Sequence, residues 1–94
     1  MKLPDERLAQ VIRTLRDFGA RRILLFGSYA HAPETARDID LAVEGIPFQR
    51  LGAADIAVYR LLRMPFDLIS RDEDPEFFDI ATHDAVTIYE QATA

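Results

Sequence analysis

The chain contains no cysteine. That excludes a disulfide framework and a thiolate zinc site, and makes a cytoplasmic location the default expectation. No apolar run approaches the roughly 18–20 residues a membrane span needs, so no membrane partner is expected. The opening MKLPDERLAQ places acidic residues where a signal peptide would carry its apolar core. Basic residues are scarce: 11 Lys and Arg against 16 Asp and Glu give a net charge of −5. Binding to nucleic acid through its phosphates relies on Lys and Arg, so direct nucleic-acid binding, including the sequence-specific kind, is not expected. Nucleotides remain accessible to an acidic protein if divalent metals supply the positive charge. Repeats, low-complexity tracts and interdomain linkers are also lacking. What is present is a 94-residue chain, 49% hydrophobic, which suits one globular domain spanning residues 1–94.

Pro4-Asp5-Glu6 followed by Leu8, Val11, Ile12, Leu15 and Phe18 has helical spacing, with Gly19 placed as a C-terminal glycine. Arg22 to Phe26 is a continuous apolar run, as expected of a strand covered on both faces. Gly27-Ser28 breaks it, and Tyr29-Ala30-His31 begins a short helical turn. Asp38 to Val43 reads as a second strand, and Phe48 to Arg63 as a helix with Leu51, Ile56, Val58, Tyr59, Leu61 and Leu62 toward the core. Phe66 to Ile69 is a third strand, Pro75 to His83 a helix with Asp74 as N-cap, and Val86 to Tyr89 an edge strand. His83 is expected to cap that last helix. This order predicts an α+β (α/β) fold, a small mixed sheet with flanking helices.

The carboxylates are the anomaly. In a strand, residues i and i+2 share a face, so Asp38 and Asp40 project together while Ile39 and Leu41 enter the core. Two such charges repel unless a cation or a shared proton intervenes. Oxygen ligands suit Mg²⁺, which keeps waters and substrate phosphates as its other ligands. An isolated Asp-x-Asp is also consistent with a solvated strand end, and a strand-Gly-Ser turn with a plain turn. Asp67, inside the apolar run Pro65 to Ile69, reads alone as an edge residue facing solvent. The acidic RDEDP loop at Arg71 to Pro75 lacks the spacing of an EF-hand.

Taken together, LFGSYA, DIDLAV, FDLI and the closing VTIYE resemble the minimal nucleotidyltransferase (MNT) domains of the polymerase-β-like superfamily. The resemblance runs from the Arg22 strand to Tyr89-Glu90. It implies the polymerase-β palm-like nucleotidyltransferase fold. It also implies a Mg²⁺-dependent enzyme of the protein adenylyltransferase type, with ATP as substrate. Asp38, Asp40 and Asp67 would be the catalytic triad and the ligands of two Mg²⁺ ions, and Gly27 and Ser28 would bind the outgoing phosphates. Solitary MNT proteins are typically antitoxins paired with HEPN-type helical toxins, and some transfer AMP to a tyrosine of the toxin. The same pairing is expected here, and the sequence is also compatible with a homo-oligomer.

The chain departs from the family pattern between the two motifs. His31-Ala32 stands where family members usually have Arg-Gly, and Arg37 where many have Ser. The loop to Asp38 is about one residue shorter. Arg37 is a nucleotide-binding candidate that would restore the missing cation; otherwise it is a surface residue. The altered loop also supports an alternative, a catalytically degenerate subunit that neutralises or scaffolds its partner by binding alone. Transfer to a small molecule such as an aminoglycoside is less favoured, because no second domain is visible to form an acceptor pocket.

Overall fold

A computed structural model describes residues 2–92, so residues 1, 93 and 94 of the expected 1–94 span lie outside the described range. The elements are α1 (Asp5–Asp17), β1 (Arg22–Phe26), α2 (Gly27–His31), β2 (Ile39–Glu44), α3 (Phe48–Leu62), β3 (Phe66–Ser70), α4 (Pro75–Ala81) and β4 (Val86–Glu90). The four strands form one mixed sheet in the order β3-β2-β1-β4. β1 runs antiparallel to both β2 and β4, and β2 runs parallel to β3 with α3 as the crossover. This is the expected architecture, and β4 does close an edge.

One face of the sheet carries the main core. Ile23, Leu25, Ile39, Leu41 and Val43 meet Val11 and Leu15 of α1 and Ala54, Val58 and Leu62 of α3. Each fully buried Val or Leu contributes roughly 1.5–3 kcal/mol relative to exposure, so this layer dominates stability. The opposite face holds a smaller cluster, Leu24, Ala42 and Phe78, with Phe26, Ile69 and Ala85 against it. Both faces of β1 are therefore covered, which explains the continuous apolar run of its sequence.

The helix ends follow local chemistry. Acidic Asp5 and Glu6 open α1 and Arg16 lies in its last turn, matching the helix dipole. Asp74 caps α4 by accepting from the Phe77 N–H at 3.0 Å. At the other end of α4 the expectation for His83 is corrected. Thr82 is the C-cap and its hydroxyl donates to the Phe78 carbonyl at 2.7 Å, leaving His83 exposed beyond it. A second correction concerns α3: Ile56 and Tyr59 are 55% and 61% exposed rather than core. With Phe48 they form a stripe on the outer face, because Ala54, Val58 and Leu62 already fill the inner one.

Candidate functional site

β1 ends at Phe26, and the chain turns directly into α2, starting at Gly27 rather than at Tyr29. Gly27 has φ 69°, a left-handed conformation that favours glycine. A Cβ placed there would also run into the carboxylate of Asp40. Two independent constraints thus exclude a side chain at this position. They have a common consequence: the start of the turn lies directly against the acid. Ser28 is exposed beside it, and no side chain caps the first N–H groups of the turn. Tyr29 faces inward, buried, and its hydroxyl accepts from the Leu3 N–H at 2.8 Å. That bond ties the turn to the N-terminal segment, a role the sequence reading missed. A bulky aromatic one position after Gly-Ser was the available signal.

Register brings the acids together. Asp40 lies opposite Phe26 on one side and opposite Asp67 on the other. Cross-strand partners share a face, so Asp40 and Asp67 stand on the smaller-core side of the sheet, at the Phe26 end of β1. Asp40 is half-buried, whereas Asp67 is exposed. β2 begins at Ile39, whose N–H donates to the Pro65 carbonyl at 3.1 Å, so Asp38 sits just outside the strand and not within it. It is exposed at the mouth of the site.

The electrostatics confirm that the three groups feel one another. The Asp40 carboxyl is held above the usual carboxylate range by burial first, then by the charges of Asp38 and Asp67 and by a hydrogen bond with Asp67. Such a cluster is short of positive charge. Among the described residues, no set of three acidic or histidine side chains converges tightly enough to form a ready-made metal cage. The donors nevertheless fit a hard divalent cation: carboxylate oxygens only, two of the groups exposed and the third, Asp40, half-buried between them. Mg²⁺ in particular keeps waters and phosphate oxygens, and does not require an all-protein cage.

The loop between the motifs is a compact turn. The Thr35 and Ala36 N–H groups donate to the Ala32 carbonyl at 3.2 and 3.1 Å, and Ala36 is buried as an anchor. His31 and Arg37 flank it, both exposed, and among the described residues neither makes an ion pair. The structure therefore brings Gly27, Asp40 and Asp67 together, with Asp38 and Ser28 at the rim. Arg37 borders the mouth through its place next to Asp38.

At the far end of β2, Glu44 pairs with Arg22 and Arg71, each at 2.9 Å. Burial pushes the Glu44 carboxyl up, but hydrogen bonds from the two arginines outweigh it and hold the group below its ordinary range. This pair of salt bridges clamps the strand end remote from the acids.

No protein-family model matches the sequence, and no curated protein matches it. Solved structures do match in fold. One is a crystal structure of the toxin–antitoxin MntA–HpeT with a tyrosine-to-alanine substitution, with a TM-score of 0.75 and 20% identity, covering 96% of this chain and 75% of that one. A second MntA–HpeT structure, with two aspartates replaced by glutamate, gives 0.73 at 18% identity over 88% and 73%. A third, a toxin–antitoxin with AMP-PNP, gives 0.73 at 20% identity over 95% and 75%. No described helix is long and apolar enough to cross a membrane. With Gly-Ser at the end of β1, Asp-x-Asp at the start of β2 and a third acid on β3, the chain has the nucleotidyltransferase fold of the MntA structures.

Proposed function

We propose that the protein is a Mg²⁺-dependent nucleotidyltransferase of the antitoxin type, transferring AMP from ATP to a tyrosine hydroxyl of a HEPN-type toxin. The observation that carries this reading is the meeting of Gly27, Asp40 and Asp67 at one sheet end. The solved neighbours support it. One holds AMP-PNP, and another carries substitutions at two aspartates spaced like Asp38 and Asp40. A third bears a tyrosine substitution in a toxin–antitoxin pair, which agrees with a tyrosine acceptor.

In this reading Asp38, Asp40 and Asp67 hold the divalent cations. When bound, those cations supply the positive charge that stabilises the attacking and leaving oxygens of an in-line displacement. The Gly27 backbone and the Ser28 hydroxyl hold the β- and γ-phosphates, with the close approach made available by the missing side chain. Arg37 adds a cation at the mouth. Asp67, exposed on the edge strand, accepts the proton of the acceptor hydroxyl. The acceptor oxygen forms a bond to the α-phosphorus as the bond to the bridging oxygen breaks, releasing pyrophosphate.

The test incubates the protein with the product of a neighbouring gene, ATP and Mg²⁺. The expected result is an AMP mass increment on that partner, lost in Asp38→Asn/Asp40→Asn. A partner neutralised equally well by the double variant, with no increment, would establish contact-only neutralisation instead.

A further inference from the structure

Phosphates and acceptor must reach the α-phosphorus from opposite sides. Gly27 and Ser28 lie on the β1 side of Asp40, whereas Asp67 lies on the β3 side. Beyond the start of β3 the surface opens into a groove of about 710 Å³, lined by Tyr59, Arg60, Arg63, Met64, Pro65 and Phe66. Groove and acid cluster meet at the start of edge strand β3 from its two faces: Phe66 packs on the α3 side and lines the groove, whereas the next residue, Asp67, stands on the opposite face with Asp40. The Pro65 carbonyl holds Ile39, the residue after Asp38.

The groove has a defined chemistry. Buried Met64 and half-buried Phe66 give it an apolar floor, and the Tyr59 ring stands exposed at its rim. Arg60 and Arg63 are exposed, and among the described residues neither has an ion-pair partner. In a chain of net charge −5 this is a local reversal of sign. Arg63 also adopts φ 51°, the only left-handed non-glycine backbone among the described residues. It is the C-cap of α3, a place where glycine relieves the strain that a side chain incurs.

We propose that this groove is the acceptor-side docking site, and that its occupant is an acidic segment of the partner protein carrying an apolar or aromatic anchor. The inference rests on the nucleotidyltransferase reading above. The partner's carboxylates pair with Arg60 and Arg63, while its anchor lies on Met64 and Phe66 beside Tyr59. The bound segment then passes round the exposed edge of β3 to reach Asp67 on its other face.

Two hexapeptide probes test this, one with a Tyr-Leu centre flanked by glutamates and one with the same centre flanked by lysines. Resonances of Tyr59, Met64 and Phe66 are followed by NMR in the presence of Mg²⁺ and AMP-PNP. The expected result is saturable shifts with the acidic peptide only, with affinity falling about ten-fold in Arg60→Glu/Arg63→Glu while the lysine peptide gains binding. Arg63→Gly should raise Tm yet weaken the acidic peptide. Equal affinity for both peptides, no shift with either, or shifts driven by Mg²⁺ and AMP-PNP alone would overturn the proposal. Stabilisation of the wild-type protein by Mg²⁺ and AMP-PNP is a separate readout. Its failure would remove the nucleotide reading, whereas its success with a negative peptide result removes only the docking site.

Discussion

Asp40 is pressed by a backbone on one side and by like charges on the other, and its behaviour follows from that position. A carboxyl whose folded pKa is raised favours the native state while protonated, and that contribution is lost as pH rises through the folded pKa. Without a cation, the protein should therefore be less stable at neutral pH than Asp40→Asn. Removing the repulsion should raise Tm by about 2–4 °C, as half a kcal/mol does in a domain of this size, measured by calorimetry without Mg²⁺. Gly27→Ala should act in the other sense. A left-handed backbone and a collision with the Asp40 carboxylate together should lower stability by about 1–3 kcal/mol and abolish stabilisation by Mg²⁺ and ATP, read from thermal melts. Glu44 has the opposite linkage to Asp40. Its lowered pKa contributes stability above the unfolded pKa that is lost as pH falls through the folded one, so Glu44→Gln should flatten the acid limb of the stability curve.

At the scale of elements, α4 is the cover of the site-bearing face, and Phe78 is its buried contact. Phe78→Ala should cost about 3–5 kcal/mol, and hydrogen exchange should show α4 opening before α1 or α3. A loss confined to less than 1 kcal/mol would mean that the smaller core does not hold the helix. The strands and helices were legible because apolar runs, Gly punctuation and the Asp74-Pro75 start signal are local properties of the chain. The grouping of Asp40 with Asp67 came only through the family resemblance, since their opposition depends on the parallel register of β2 and β3 across the α3 crossover. The exposure of Ile56 and Tyr59 was not legible: helical spacing says that a residue shares a face with others, but not which face the sheet will cover. The groove is hidden for the same reason, because helical spacing alone assigns Tyr59 to the core.

For the whole molecule, the distribution of charge is the guide. Within a net charge of −5, acids gather at one sheet end and arginines without ion-pair partners among the described residues line the groove beside β3. In the proposed reading a divalent cation offsets the charge of the triphosphate, so affinity for nucleotide should vanish with chelation. The loop from His31 to Arg37 closes on itself through the Ala32 carbonyl, between the elements that carry Gly27 and Asp40. The measurement that tests the central claim most directly is a calorimetric titration of AMP-PNP into the protein, with and without Mg²⁺, repeated for Asp38→Asn/Asp40→Asn. The account predicts saturable binding that requires Mg²⁺ and is lost in the double variant. Undiminished binding by that variant, or none by the wild-type protein at millimolar nucleotide, would contradict it.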